Sequence, residues 1–256
     1  MNLDYHTLLE LNGKIAVVTG ASEGIGAALA EGLALAGAQV ILCSRSKEKL
    51  TAVQQSMQMK NLSADIFPVD VSDLQSIQML RNYIAEKYGQ LHILINSAGY
   101  AATKPALEVT EEEFDRMSDI GFKGLFFCCQ QLSPLMHQNH YGKIINLSST
   151  FSKSTGIGRT VYAGVKAAVS HLTEALAVEW APYGIRINAL APTAVLTPTR
   201  AAVLTGKILE SALANIPLGR LATTDDLIGA ALYLASPASD FVTGQTLFVD
   251  GGWTSR

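Results

Sequence analysis

Thr19-Gly20-Ala21-Ser22-Glu23-Gly24-Ile25-Gly26 is the stretch that decides the architecture. It follows a short apolar run at 14–19, and its second half opens a helical pattern. Three glycines therefore stand at a strand-to-helix turn, where backbone can approach a pyrophosphate closely. Glycines also serve tight turns and helix–strand packing, so context separates the readings: a cluster that ends the first strand and begins the first helix is what dinucleotide binding requires. Six further runs, at 39–44, 64–69, 91–95, 143–147, 185–190 and 246–249, read as strands, with helical patterns between them. Nearly continuous apolar strands alternating with helices describe a parallel sheet covered on both faces, and right-handed crossovers make it doubly wound.

The expectation is one α/β domain over 1–256: a Rossmann-type, doubly wound seven-stranded parallel sheet with helices on both faces. Composition agrees, since 256 residues with 48% hydrophobic and 16% charged content bury a substantial core. A formal net charge of -3 with scattered basic residues argues against a nucleic-acid surface. Three cysteines, two of them adjacent at Cys128 and Cys129, make no disulfide framework and suit a reducing compartment. The first six residues lack a leader pattern, and no stretch approaches the roughly 20 apolar residues of a membrane span. A cytoplasmic protein with no membrane partner is expected.

Thr110 followed by Glu111, Glu112 and Glu113 reads as a capping box that starts a long helix toward His137. The least regular stretch, 192–217, is too long for an ordinary connection and reads as a mobile substrate lid. His137 and His140 lack a third ligand at useful spacing, so no metal site is expected. Phe126 and Phe127 read as helix packing, and Trp253 as either a contact to a neighbouring subunit's pocket or an exposed end.

The end of the second strand discriminates between dinucleotides. An NAD site places a carboxylate there for the ribose hydroxyl, whereas this chain reads Leu42-Cys43-Ser44-Arg45-Ser46-Lys47. Arg45 and Lys47, with Ser44 or Ser46 as hydrogen-bond donor, suit the 2′-phosphate of NADP. Against that, Arg45 also reads as a solvated loop charge, and Glu23 in the glycine loop repels phosphate. NADP is favoured and NAD stays open, the absent carboxylate carrying more weight than the arginine.

Tyr162 and Lys166 stand four apart on a helical pattern, which sets an ammonium beside a phenol. An unperturbed tyrosine titrates near 10, and bringing it to neutrality takes about 4 kcal/mol of differential stabilisation of the phenolate. In isolation such a pair reads first as an ordinary packed helix face. Ser149, at the end of the fifth strand run, changes the weighting.

Together these residues resemble the short-chain dehydrogenase/reductase family over residues 11–253. Gly20, Ser22, Gly24, Ile25 and Gly26 look like its cofactor loop; Asp70 and Val71 match its adenine-contacting pair. Asn96-Ser97-Ala98-Gly99 is similar to its Asn-Asn-Ala-Gly turn, with Asn96, Ala98 and Gly99 at cofactor positions. The resemblance implies that Tyr162 protonates the carbonyl oxygen, that Ser149 hydrogen-bonds it, and that Lys166 both lowers the tyrosine pKa and holds the nicotinamide ribose. Pro192, Val195 and Thr197 fall at nicotinamide-side positions, Thr193 standing where glycine is usual. The departure that matters most is Gly121, where the family has an asparagine supporting a water that links the lysine to solvent. The C-terminal run 238–252 resembles tetrameric members, including gluconate 5-dehydrogenase-like and 3-oxoacyl-carrier-protein-reductase-like enzymes, and implies a homotetramer with the last strand at a two-fold interface. The implied activity is NADPH-dependent carbonyl reduction, reversible as alcohol dehydrogenation, on a small ketone, a keto sugar acid or a β-ketoacyl compound. The alternative is a non-catalytic or impaired cofactor-binding protein that kept the fold.

Overall fold

The computed structural model describes residues 7–201 and 205–255; residues 202–204 of the expected lid lie outside them, as do the first six residues and Arg256. The chain runs β1 (Ile15–Thr19), α1 (Gly24–Leu35), β2 (Gln39–Ser44), α2 (Lys47–Gln58), β3 (Ala64–Pro68), α3 (Leu74–Tyr88), β4 (Ile93–Asn96), α4 (Glu111–Ser118), α5 (Gly124–Leu132), α6 (Pro134–His137), β5 (Gly142–Leu147), α7 (Thr160–Trp180), β6 (Ile185–Pro192), α8 (Pro198–Ala201), α9 (Gly206–Ala214), α10 (Asp225–Ala235) and β7 (Thr246–Val249). All seven strands pair in parallel in the order β3-β2-β1-β4-β5-β6-β7. The expected strands are all present, and β6 reaches Pro192 because β7 pairs with it that far, Pro192 opposite Val249.

The alternation of side chains along each strand divides the core in two. Val18, Leu42, Ile95 and Leu190 face a cluster that takes in Leu29 and Leu33 of α1 and Leu227 and Leu234 of α10. Val17, Ile41, Leu94 and Ile187 face the other, with Leu80 of α3, Leu125 of α5 and Val169 of α7. Both sheet faces are thus sealed, and the strand C-termini share one edge where ligands bind in such folds. Cys43, Cys128 and Cys129 are buried and free, and Phe126 and Phe127 pack edge-on beside the second cluster.

The capping box forms as read: Thr110 Oγ1 accepts from the Glu113 amide, and Glu113 accepts from the Thr110 amide. The long helix it starts is interrupted, however. Between α4 and α5, Asp119–Lys123 forms a π-helical turn, so Gly121 does not occupy a plain α-helical interior. A β-carbon at Gly121 would stand 2.8 Å from Cγ1 of Val165 on α7. Val165 is itself nearly buried, so its methyl fills the side of the helix that a larger residue 121 would take. Gly121→Ala should lower stability by ~1–3 kcal/mol through overpacking. Shrinking the neighbour as well, in Gly121→Ala/Val165→Ala, should relieve that clash and give a coupling above ~0.5 kcal/mol in a urea-denaturation cycle; additive losses would show that the two positions do not contend for one space.

Candidate active site

The C-terminal ends of β1 and β4 are laced together. Thr19 Oγ1 accepts from the amides of Ser97 (3.1 Å) and Ala98 (3.2 Å). This draws the turn after β4 onto the glycine loop so tightly that a β-carbon on Gly20 would stand 2.8 Å from the Ala98 backbone; Gly20 also has φ +68. A β-carbon on Gly26 would stand 2.3 Å from Gly20 O, so α1 rests directly on the loop. Glu23, at the α1 N-cap, makes no side-chain cap, and Ser22, Gly24 and Ile25 line the turn. The first amides of α1 are left to a bound anion. Glu23 turns outward: it accepts from Lys49 Nζ (2.9 Å) and Thr199 Oγ1 (3.3 Å), and the Lys49 contact foremost holds its carboxyl below the ordinary range. Its charge is matched by lysine, which removes most of the repulsion expected toward a phosphate.

At the end of β2, the two serines part ways. Ser44 Oγ is buried without a hydrogen-bond partner, an orphaned polar atom at the ribose end of the cleft. Ser46 is committed to capping α2, accepting from the Lys49 amide (3.2 Å) and donating to Glu48 (2.9 Å), so it is not the free donor that the sequence offered as an equal choice. Arg45 has no hydrogen bond or ion pair among the described residues; it lies near Asp70 and lines an open cleft of about 580 Å³ with Ser72 and α4. Asp70 accepts from the amide (2.9 Å) and hydroxyl (2.6 Å) of Ser72; burial opposes ionisation, but these bonds and the Arg45 charge hold its carboxyl below the ordinary range. Val71 is buried beside it. Asn96 is a brace as well as a turn residue: its amide donates to Asn146 Oδ1 (2.9 Å), and Asn146 donates in turn to Thr173 on α7 (3.0 Å). Ala98 and Gly99 continue the turn.

Ser149 follows β5, its Oγ accepting from the Phe151 amide (3.2 Å). Ser148 points the opposite way, meeting Ser170 Oγ at 2.8 Å and donating to Lys166 O, which docks α7 on the strand. Lys166 is 6% exposed; its Nζ donates to Leu147 O (2.6 Å) and lies 5.8 Å from the Tyr162 ring centroid. Burial pushes its ammonium below the ordinary lysine range, and Tyr162 works against that shift. The Tyr162 ring meets Phe151 edge-on at 6.2 Å, and Phe151 meets Trp253 edge-on at 6.2 Å. Trp253 packs within this chain, its indole N–H donating to Ser154 Oγ (3.3 Å), so it is not a free exposed end.

After Pro192, Val195 is buried and bridges to Ala222. Thr197 is buried too, its methyl 3.3 Å from where a Gly24 β-carbon would stand, so this segment closes over the glycine loop. Thr193 Oγ1 is a second buried hydroxyl without a partner. The glycine cradle, the orphaned Ser44 hydroxyl and the unpaired Arg45 fit an NADP-type dinucleotide. Sequence reading missed Phe151, Asn146 and Thr173; only Asn146 left a signal, as a polar residue in an apolar strand. His137 stacks on Tyr183 with ring centroids 4.4 Å apart, remote in role from the cleft.

A family model described as enoyl-(acyl carrier protein) reductase matches residues 20–254. Gluconate 5-dehydrogenase of Gluconobacter oxydans is 36% identical over 253 residues, covering 98% of this chain and 99% of that protein. The 3-oxoacyl-[acyl-carrier-protein] reductase FabG of Thermotoga maritima is 35% identical over 244 residues, covering 95% and 99%. The crystal structure of a gluconate 5-dehydrogenase from Burkholderia cenocepacia in complex with NADP and tartrate superposes with a TM-score of 0.93 at 34% identity, covering 98% of each chain. The chain belongs to the short-chain dehydrogenase/reductase family of oxidoreductases. Within it, the likeness falls in the branch of the gluconate 5-dehydrogenase-like and FabG-like enzymes.

Proposed function

We propose that this protein is an NADPH-dependent carbonyl reductase, reversible as an alcohol dehydrogenase, acting on a small ketone, a keto sugar acid or a β-ketoacyl compound. The observation that carries the reading is the buried Lys166 ammonium, fixed on Leu147 O one helical turn from Tyr162 while Ser149 leaves the same strand end. A cation with a single acceptor and little water is placed to stabilise negative charge left on a neighbouring phenol oxygen after proton transfer. In reduction, Tyr162 Oη donates a proton to the substrate's carbonyl oxygen, and Ser149 Oγ donates a hydrogen bond to that oxygen. Lys166 stays cationic and stabilises the phenolate left behind. NADPH, when bound, supplies the hydride.

The residues for that cofactor are the loop Gly20–Gly26 for the pyrophosphate, Ser44 and Arg45 for the 2′-phosphate, and Asp70 and Val71 for the adenine. Asn96, Ala98 and Gly99 back the ribose side, and Pro192, Val195 and Thr197 the nicotinamide side. The alternative, an impaired protein, rests on Gly121. Ser149, Tyr162 and Lys166 weigh against it, because a protein that only binds the cofactor has no need of all three. The assembly we infer is a homotetramer that covers the β7 sheet edge, in the cytoplasm, with residues 192–217 as the substrate lid.

Nicotinamide absorbance followed with NADPH and NADH separately, over a panel of ketones, should show turnover with preference for NADPH; cofactor binding without turnover on any ketone would sink the reading. Tyr162→Phe should bind NADPH as before while kcat falls at least ~100-fold, the scale of a lost general acid, and substantial remaining activity would reject Tyr162 as the proton donor. Arg45→Asp should weaken NADPH by roughly 10–100-fold, the worth of a charge-assisted bond, and turn the preference toward NADH. An unchanged preference would reduce Arg45 to a loop charge.

A further inference from the structure

The last turn of the chain reaches the reacting groups through one ring. Phe151 lies on a 3-10 turn, Thr150–Ser152, directly after Ser149, and it touches both Ser149 and Tyr162. Its amide donates to Ser149 Oγ (3.2 Å), and its ring meets Tyr162 edge-on, with 6.2 Å between centroids. With that amide on a lone pair of the Ser149 hydroxyl, the serine proton is left to be donated into the cleft. Edge-on contacts hold rings at a set inclination, so the place of Phe151 fixes both the direction of one donor and the tilt of the other.

Phe151 is itself wedged by its neighbours. A β-carbon on Gly156 would stand 3.2 Å from Cε1 of the ring, and Trp253 meets the ring edge-on at 6.2 Å. The indole N–H donates to Ser154 Oγ (3.3 Å), and Ser154 Oγ donates to Thr150 O (3.0 Å). The indole thus ends a hydrogen-bonded chain on the residue between Ser149 and Phe151. The turn that carries Trp253 is held in its own right. Asp250, 8% exposed, accepts from the amides of Gly252 (3.0 Å) and Thr254 (2.9 Å) and from the Thr254 hydroxyl (2.8 Å). The same turn is docked where the 192–217 stretch ends: Leu218 N donates to Gly251 O (3.1 Å), and a β-carbon on Gly251 would stand 2.7 Å from Ile216 Cγ2.

We infer that Trp253 is a positioning residue for the reduction: acting through Phe151 and Ser154, it holds the Ser149 hydroxyl and the Tyr162 phenol in place against each other. The assignment rests on the reductase reading above and adds a residue to it. Two donors that must meet one carbonyl oxygen tolerate little drift, and a reacting group about 1 Å out of place costs on the order of 100-fold in rate.

The test compares the full-length parent with Trp253→Leu, which keeps apolar bulk but loses the ring and the N–H, and with Trp253→Phe, which keeps a ring. On a ketone that the parent reduces, Trp253→Leu should lose ~10–100-fold in kcat, with KM for the ketone within ~3-fold and NADPH affinity, read from the cofactor's own fluorescence, unchanged. Trp253→Phe should recover most of that loss. Ser154→Ala, which strips the indole N–H of its acceptor, should lose roughly 3–10-fold in kcat and decides the matter where Trp253→Leu does not fold. Unchanged kcat would overturn the assignment, as would a loss that Trp253→Phe leaves in full. A loss carried wholly by KM would overturn it too, since Trp253 would then be a surface for the substrate. Crystal structures of the parent and the folded variant separate this from the reductase reading. A parent that reduces no ketone rejects the reductase, and the positioning then stands if Phe151 withdraws from Ser149 Oγ and Tyr162 in the variant and falls if the three stay in place. A parent that reduces ketones no faster than Trp253→Leu keeps the reductase and rejects the positioning.

Discussion

The seam between β5 and α7 is the constraint on which the rest depends. Lys166 must leave water to pack under the strand end, and it does so with one protein acceptor, the Leu147 carbonyl. A buried ammonium in that position is tolerable only if the helix cannot slide, and the seam is pinned at three levels. Ser148 bonds Ser170 and the Lys166 carbonyl, and Asn146 bonds Thr173 a turn further along. Because alternate residues of a strand face opposite ways, committing Ser148 to the helix aims Ser149 into the cleft. The positions of three chemically unrelated side chains are thereby set by one docking geometry.

Charge is unevenly distributed around this seam. The chain as a whole is acidic, with a formal net charge of -3, and the Arg45 cleft shares that character, since Glu111, Glu112, Asp115 and Asp119 line it beside Arg45 and Arg116. Glu23 is neutralised by Lys49 and Glu113 by Lys104, while Asp70 and Asp250 are bound by amides and hydroxyls. For a dinucleotide's phosphates the fitting positive ends are the α1 amides and Arg45.

What was legible from sequence was what local pattern encodes. The seven strands announce themselves through short β-branched apolar runs, the parallel, doubly wound sheet through strand–helix alternation, the Thr110 cap through its Glu113, and the glycine loop through its place between strand and helix. Tyr162 and Lys166 were legible as a pair because four residues make one helical turn. What escaped needs contacts between elements distant in the chain. Ser46 and Ser44 look equivalent until α2 claims one of them as its cap. Asn96 reads as a turn residue until Asn146 appears beside it, and Trp253 reads as a terminal residue until the C-terminus folds back on Phe151.

The glycine within the π-helical turn belongs to the same class, because what it packs against sits on another helix: Val165 fills the space beside Gly121. The two positions are therefore linked as alleles are in epistasis. A chain that exchanges either residue singly passes through a worse-packed intermediate, with a clash on one route and a hole on the other. The glycine is held by its neighbour's bulk, and a larger residue there fits best when α7 yields as well.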